Sequence, residues 1–355
     1  RRDFTVNGRA PRAGETWRFE DQARTLERIA GTKGEAFYRG ELAAKIAAHA
    51  KASGGLMTVD DLAKHAADPV EPIATAFRGH TLHEIPPNGQ GLAALIALGI
   101  LERLDIADMQ VDSADFFHVQ IEAMKLAFAD AHRYIADRDA MEFAPTELLR
   151  DDYLAARAGL IDMKRAGAPA FGVPYEGGTV YLAAADASGM MVSYIQSNYA
   201  GFGSGIVVPG TGISLQNRGR GFTLEAGHPN EVGPRKRPYH TIIPAFVTRD
   251  GSPVMSFGVM GGPMQPQGHV QMMVRVVGHG QNPQAAVDAP RWQVHDGLDV
   301  TLEAGVADDV ADALARRGHR VRRGANAGGA QIIWKLDDGY VAASEPRKDG
   351  HAVGF

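Results

Sequence analysis

The sequence predicts an α+β protein in which helices pack around antiparallel sheets. In 179–197 and again in 244–259, two runs rich in β-branched, aromatic and small residues are separated by a short polar turn. This pattern indicates two β-hairpins. Apolar residues recur at helical spacing elsewhere, most clearly between Ser113 and Tyr134. Strand pairs that are interleaved with helix pairs are typical of layered sandwiches, so we expect that architecture here.

The individual elements follow from periodicity and from start and stop signals. Thr58 and Ser113 have the side chains of helix caps, and Gly318 ends a helix. The predicted helices cover 18–30, 41–52, 58–65, 92–104, 113–134, 267–277, 283–289 and 306–317. The predicted strands cover 81–85, 179–186, 190–197, 244–248, 254–259, 299–303, 331–335 and 340–344. Residues 136–178 are charged and then rich in Gly and Pro, which predicts a linker.

Composition excludes several functional classes. With 355 residues, 45% of them hydrophobic, the chain can bury a large core, and its net charge of −5 favours neither nucleic acid nor an anionic membrane as a partner. The absence of cysteine excludes disulfides and thiolate metal sites without indicating a compartment. No apolar run approaches the roughly 18 residues of a membrane span. The chain begins without Met, and we expect a preceding segment.

The helix at 113–134 carries His118, Glu122 and His132. Their spacing matches no common ligand pattern, so we predict no metal site and treat them as surface or core residues. Glu122 and Lys125 are expected to form a pair that faces solvent.

Thr179 stands at the start of a strand directly after Gly177-Gly178. Two glycines can simply enter a strand, and the pattern alone favours that interpretation. Alternatively, if the Gly178–Thr179 bond is broken, the freed α-amine, with a pKa of about 7.7–8.0, can take the proton of the Thr179 hydroxyl. Glycines would also allow the strained backbone that self-cleavage needs.

Several motifs follow Thr179 in a fixed order. They are Thr179-Val-Tyr-Leu, Gly201-Phe-Gly-Ser-Gly, Gly212-Ile-Ser-Leu-Gln-Asn-Arg, Gly233-Pro-Arg-Lys-Arg-Pro, Gly258-Val-Met-Gly-Gly, Ala289-Pro-Arg-Trp and Ser344-Glu-Pro-Arg. This series resembles the γ-glutamyltransferase family of N-terminal-nucleophile hydrolases over essentially the whole chain. The resemblance implies a four-layer αββα sandwich and no cofactor. It also implies that segments 1–178 and 179–355 interweave as one domain and stay associated after cleavage, and it leaves a homodimer open.

The resemblance also assigns catalytic roles. Thr179 matches the nucleophile, with cleavage at Gly178–Thr179. Ser197 matches a hydroxyl that hydrogen-bonds the nucleophile, where the family usually has Thr, and either hydroxyl can donate and accept. Gly261 and Gly262 match the paired glycines whose amides stabilise the oxyanion.

The substrate-binding positions depart from the family pattern. Two consecutive serines that hold the glutamyl α-carboxylate are replaced by His240 and Thr241. The acidic residue that binds the α-ammonium is replaced by Gly221. An amide-bearing position falls on Arg218, and an Asn that orients the amino acid falls on Tyr199. An α-ammonium would be poorly bound beside a cation, so a small substrate with an anionic acyl end fits better.

Three readings therefore stay open. The chain is part of a γ-glutamyl hydrolase or transferase of altered specificity, or of an amidohydrolase for a glutaryl-like or oxamate-like acyl group. A paralogue that never matures and only binds is the third, and the intact Thr179, Ser197 and glycine pair argue against it.

Overall fold

A computed structural model of the chain describes residues 2–169, 178–325 and 328–355. The chain forms two compact units, residues 1–69 with 202–217 and residues 70–201 with 218–355. Every residue that the sequence assigns to the site belongs to the second unit. The predicted segment boundary between 178 and 179 also falls inside that unit, and a division of the chain by cleavage there stays a prediction.

The helices and strands of the described residues have the following bounds. The α-helices are α1 (Glu20–Gly31), α2 (Glu35–Tyr38), α3 (Glu41–Ala52), α4 (Val59–Lys64), α5 (Gly91–Glu102), α6 (Ala114–Tyr134), α7 (Asp151–Ala158), α8 (Met264–Met273), α9 (Pro283–Asp288) and α10 (Asp308–Arg316). The strands are β1 (Ile73–Phe77), β2 (His80–Glu84), β3 (Gly178–Ala185), β4 (Met191–Tyr199), β5 (Ala245–Arg249), β6 (Ser252–Met260), β7 (Trp292–Val294), β8 (Asp299–Leu302), β9 (Arg320–Arg323), β10 (Gly329–Leu336) and β11 (Gly339–Ser344).

The first unit carries helices α1–α4. The predicted cap at Thr58 is present as a capping box, because the Thr58 hydroxyl accepts from the Asp61 amide and the Asp61 carboxylate accepts from the Thr58 amide. The ring of Phe4 stacks on Trp17 and makes edge contacts with Phe19 and Phe202. No helix in the described residues of either unit combines the length and hydropathy of a membrane span.

The second unit is built on a six-stranded antiparallel sheet with the order β1-β2-β5-β6-β10-β11. Helix α5 packs on β1 and β2, and α8 packs on β6. Residues 91–101 of α5 are all buried, as expected of a helix that is apolar on every side. Helix α6 lies against α5. Strands β7, β8 and β9 form a separate small sheet.

The predicted hairpin at 179–197 is present as β3 and β4, which form a two-stranded sheet that contacts β6. Alternation along β3 turns Thr179 and Tyr181 towards the larger sheet. Tyr181 is buried, and its ring occupies the space that a side chain at Gly258 would need, 2.3 Å from the position of a Cβ atom. The opposite, apolar face of the hairpin is exposed, including Leu182 (51% exposed) and Tyr194 (49% exposed).

The α+β class is confirmed, but some elements were not predicted. Strand β9 is Arg-rich and mostly exposed, so it shows no apolar alternation. Strand β7 is only three residues long, and β1 shows no alternation of buried and exposed residues. The expectation of an unbroken linker at 136–178 is wrong, because α7 lies within it and buries only Leu154 and Ala158, too few for a clear periodic signal. Residues 170–177 of that stretch lie outside the described residues.

Candidate active site

Thr179 lies at an irregularity in the hairpin. Gly178 pairs with Tyr199, whereas Val180 pairs with Gln196, so the register shifts at Thr179. A bulge of this kind re-aims a side chain. The Thr179 hydroxyl donates to Ser197 Oγ at 3.3 Å. The predicted pairing of these two hydroxyls is therefore present, while Gly177 of the predicted Gly-Gly entry lies outside the described residues.

Ser197 and Tyr199 end the second strand of the hairpin. The Tyr199 amide donates to Ser197 Oγ at 2.8 Å, which leaves that oxygen as an acceptor for Thr179. Tyr199 has a φ of 78°, a left-handed conformation that is uncommon for a bulky residue and that clusters at functional sites. The strained residue, Tyr199, thus lies where the pairing of the hairpin becomes irregular.

Arg218 joins the hairpin to a second loop. Its guanidinium lies 5.6 Å from the centre of the Tyr199 ring, within the range of a cation–π contact. The same group donates to the Ser197 carbonyl and to Thr241 Oγ1, both at 3.5 Å. Burial lowers the pKa of Arg218, which means that its charged form has lost hydration. A positive charge is thus held close to the hydroxyl pair.

Gly261 and Gly262 follow β6 with φ values of 124° and 60°, which only glycine adopts readily. Their carbonyls accept from the amides of Met264 and Gln265 at 3.1 and 3.0 Å and so begin α8. Since a trans peptide group points its N–H opposite to its C=O, the Gly262 N–H points away from the helix. Within the described part of the chain, neither glycine amide donates a hydrogen bond. Both N–H groups are therefore without a protein acceptor among the described residues, and both glycines are buried.

His240 and Thr241 lie between the glycine pair and Arg218. His240 pairs by backbone with the loop 88–90. Burial, with a smaller contribution from the charge of Arg218, lowers the pKa of His240 to about 3, so the ring is neutral at pH 7. Thr241 is 3% exposed and receives the Arg218 contact. The site's positive charge is thus carried by Arg218 and not by His240.

Gln90 is a buried residue of this region that sequence reasoning did not select. Its side chain donates to the carbonyls of Thr241 and Gly262 at 2.8 and 2.9 Å. Together with Arg218 it connects the eight residues predicted to be catalytic or substrate-binding into one network. The local sequence does not single it out, because Asn88 in the same loop carries the same kind of side-chain amide.

The backbone around Gly221 leaves no room for a carboxylate side chain at this position. A Cβ atom there would lie 2.1 Å from the Tyr239 carbonyl oxygen, far inside contact distance. The side chain of Asn230 fixes both neighbours, because it donates to the Gly221 carbonyl at 2.6 Å and accepts from the Tyr239 amide at 2.9 Å. The departure from the family pattern is therefore built into the backbone.

Gly221→Asp is expected to destabilise the protein without creating a site for an α-ammonium. Overpacking of this kind costs about 1–3 kcal/mol, measurable as a lower melting temperature. Gly219→Asp is the matched control, since Gly219 lies in the same 3₁₀ turn and has open space around its Cβ position. If Gly221→Asp melted like the wild type and turned over γ-glutamyl amides faster, this account of the loop would be wrong.

A cluster of potential metal ligands lies in the same unit, among residues that do not belong to the candidate active site. His118, Glu122 and His319 place ligand atoms within 4.8 Å of one another. However, Lys125 Nζ lies 2.5 Å from Glu122 Oε1 and already supplies the positive charge. The two histidines hydrogen-bond each other at 2.8 Å. These contacts favour a polar core network over a metal centre.

The expectation that Glu122 and Lys125 face solvent is wrong. They are 4% and 0% exposed. Helix α6 is packed on several sides, so i,i+3 spacing of opposite charges does not identify a surface here. His319 joins His118 from 201 positions away, which no local pattern could predict.

Comparison with known proteins decides the family. The family model for gamma-glutamyltranspeptidase matches residues 1–355. The chain belongs to the γ-glutamyltranspeptidase family. The sequence-based assignments of family, α+β sandwich class and hydrolase or transferase chemistry are confirmed by this match and by the structural neighbours.

Three relatives show the range within this family. The chain is 36% identical to the glutathione hydrolase-like YwrD proenzyme of Bacillus subtilis, covering 99% of the chain and 69% of the relative. It is also 36% identical to the oxamate amidohydrolase proenzyme of Klebsiella pneumoniae, covering 99% of the chain and 68% of the relative. The crystal structure of a cephalosporin acylase from Bacillus halodurans superposes with a TM-score of 0.94 at 48% identity, covering 99% of the chain and 65% of the acylase. The chain thus spans about two thirds of the length of each of these three proteins, whose names refer to three different substrates.

Proposed function

We propose that this chain belongs to an N-terminal-threonine amidohydrolase that cleaves itself at Gly178–Thr179 and then hydrolyses amides of anionic acyl groups that lack an α-ammonium. The observation that carries the substrate class is the replacement of a carboxylate by Gly221 beside a positive Arg218. A relative named as an oxamate amidohydrolase supports this class, because oxamate carries a carboxylate and no α-ammonium. The competing proposal is a γ-glutamyl substrate, which is supported by the relative named glutathione hydrolase-like.

The first step is maturation. The Thr179 hydroxyl oxygen attacks the Gly178 carbonyl carbon, and the Gly178–Thr179 C–N bond breaks, which gives an ester on Thr179 and a free α-amine. Water then hydrolyses this ester, which leaves a carboxylate on Gly178 and restores the Thr179 hydroxyl. In the structure these residues are consecutive in β3, with the Thr179 hydroxyl directed to Ser197. The new amine would have a pKa near 7.7–8.0 and could act as a base at neutral pH. Names of the relatives as proenzymes support a processed precursor.

The second step is acyl transfer to Thr179. Its oxygen attacks the substrate carbonyl carbon while the α-amine takes the hydroxyl proton. The amide C–N bond then breaks, and the proton passes to the leaving amine, which gives an ester on Thr179. Attack by water on this ester releases the acid and restores the hydroxyl. Ser197, held by the Tyr199 amide, orients the nucleophile.

Negative charge on the former carbonyl oxygen needs donors that are already in place. The amides of Gly261 and Gly262 meet this need, since the glycine backbone permits close approach and neither amide donates within the described residues. One such donor contributes about 2.7–4 kcal/mol to transition-state stabilisation in other hydrolases. This role for the pair is part of the proposal.

Substrate choice follows from charge near the nucleophile. Arg218 contacts the Ser197 carbonyl and the Thr241 hydroxyl, so an acyl group of a few carbons whose amide reaches Thr179 would bring its own carboxylate near the guanidinium. An ammonium on the same acyl chain would face Arg218 and, at Gly221, a backbone that has no room for a carboxylate. A free anion is therefore favoured and an α-amino acid is not.

The test compares glutaryl and γ-glutamyl p-nitroanilides on the complete protein, because these substrates differ only by the α-ammonium. We expect a kcat/KM at least about tenfold higher for the glutaryl compound, which corresponds to about 1.4 kcal/mol. Arg218→Gln should lose most of this activity, while a butyryl anilide, which lacks the carboxylate, should be turned over slowly and equally by both proteins.

Two results would contradict the proposal. A kcat/KM tenfold higher for the γ-glutamyl anilide would show that the site prefers acyl groups that carry an α-ammonium. If Arg218→Gln lost the same share of activity on the glutaryl and butyryl compounds, Arg218 would not bind the substrate carboxylate.

A further inference from the structure

Gln90 occupies the loop between β2 and α5 and is 0% exposed. A buried carboxamide must satisfy two N–H donors and an oxygen acceptor, or its burial is unfavourable. Its environment is therefore informative. Each partner that satisfies it lies far away in sequence and close to the candidate active site.

The side chain of Gln90 makes three hydrogen bonds. Its Nε2 donates to the carbonyls of Thr241 at 2.8 Å and Gly262 at 2.9 Å, across sequence separations of 151 and 172 residues. Its Oε1 accepts from the Tyr239 hydroxyl at 3.0 Å. The backbone N–H of Gln90 also donates to the His240 carbonyl at 3.1 Å. One residue thus joins the loop 239–241 to the glycine pair.

The bond to Gly262 fixes a backbone that has little restraint of its own. Gly261 and Gly262 lack side chains and adopt positive φ values, so many other conformations are open to them. The Gly262 carbonyl accepts from both Gln90 and the Gln265 amide. This carbonyl belongs to the peptide plane after residue 262, and the Gly262 N–H belongs to the plane before it, which the Met264 amide holds through the Gly261 carbonyl. Gln90 therefore restrains the second of the two planes that meet at Gly262, and so limits how far Gly262 can rotate. Donors to a developing oxyanion act best when they are preorganised.

The bond to Thr241 fixes the other side of the site. Thr241 receives the Arg218 contact through its hydroxyl, while its carbonyl is held by Gln90. Movement of Gln90 would therefore shift the anion-binding and the oxyanion-binding groups relative to each other. A distance between two substrate contacts is what a positioning residue controls.

We infer that Gln90 is a positioning residue that sets the spacing between the anion-binding loop at Thr241 and the amide of Gly262. This inference rests on the proposed function for its effect on turnover, but its structural content is independent of the substrate. Gln90 touches no reacting atom and acts through Gly262 and Thr241.

Two substitutions at position 90 separate shape from hydrogen bonding. Gln90→Met keeps length and volume but removes all polar atoms. Gln90→Glu keeps the shape and can still accept from Tyr239, but as a carboxylate it cannot donate to two carbonyls. In both variants the Thr241 and Gly262 carbonyls lose a donor, so both should show the same loosened loops.

Gln271→Met is the matched control. Gln271 is 2% exposed, and its Nε2 donates to the carbonyls of Gln267 and Trp292 at 3.2 and 3.0 Å. The substitution thus removes the same number of buried donors at a place where none of the proposed substrate contacts lies. Any general effect of losing a buried carboxamide should appear equally in this variant.

Steady-state kinetics on glutaryl p-nitroanilide and hydrogen-exchange mass spectrometry are measured on the complete protein below the melting temperature of every variant. For Gln90→Met and Gln90→Glu we expect kcat to fall about 10²-fold with a smaller change in KM, because the Gly262 amide acts chiefly in the transition state. Exchange should accelerate at 239–243 and 261–265. Gln271→Met should keep kcat within about twofold and should accelerate exchange only near 271 and 292.

The outcomes separate the inference from the proposed function. If the wild type hydrolyses no amide but the position-90 variants still loosen both loops, the positioning role stands and the proposed function falls. If the wild type is active and the position-90 variants match it in kcat and exchange, the positioning role falls. An equal loss of kcat in Gln271→Met would also overturn it.

Discussion

Thr179→Ala should leave the complete protein uncleaved and without measurable amidase activity. The substitution removes the oxygen that we propose attacks first the Gly178 carbonyl and then the substrate. The residual rate should be at least about 10³-fold lower, as is typical when a hydrolase loses its nucleophile. Intact mass and turnover of glutaryl p-nitroanilide measure the two effects on the same sample.

Thr179→Ser tests whether the hydroxyl itself is needed. Because serine keeps an oxygen that can donate to Ser197, cleavage and turnover should persist at reduced rates. Thr75→Ala is the matched control, since it removes a threonine hydroxyl from β1 at the edge of the larger sheet. Cleavage before position 179 in Thr179→Ala would contradict the proposed nucleophile.

Lys125→Met is expected to cause a large loss of stability, about 3–5 kcal/mol in the free energy of unfolding. The ammonium lies 2.5 Å from Glu122 Oε1 and donates to the Gly167 carbonyl at 2.6 Å, in a fully buried setting. Burial lowers the pKa of Lys125, and the Glu122 charge opposes this effect. Removing Lys125 leaves a buried carboxylate without its counter-charge, which is the costly half of breaking such a pair.

Urea denaturation of three variants measures this effect. The double variant Glu122→Gln/Lys125→Met should recover much of the loss, because no single buried charge remains. Lys64→Met is the control, since Lys64 and Asp60 form an i,i+4 pair with side chains 79% and 81% exposed, which contributes about 0.3–0.5 kcal/mol. A Lys125→Met protein as stable as Lys64→Met would show that the buried pair contributes little.

The hairpin and the position of Thr179 could be predicted because both depend on local sequence. Alternation and a polar turn define β3 and β4, and period two places Thr179 on the inner face. Gly261 and Gly262 are selected through the family resemblance, and their positive φ values give a local reason for glycine at both positions.

Other features depend on contacts across the chain and could not be predicted. Gln90 acquires its role only when loops 151 and 172 residues away meet it. Gly221 reads as an ordinary loop glycine until the Tyr239 carbonyl is found in the space of its side chain. Glu122 and Lys125 have the spacing of a surface pair, and only the packing around α6 shows that they are buried.

The central claim is that Thr179 becomes an N-terminal nucleophile. The most direct measurement is N-terminal sequencing, combined with intact mass, of the complete protein purified at neutral pH. We expect two chains, one of which begins Thr179-Val-Tyr-Leu. A single chain that stays unbroken between Gly178 and Thr179, whether active or not, would contradict it.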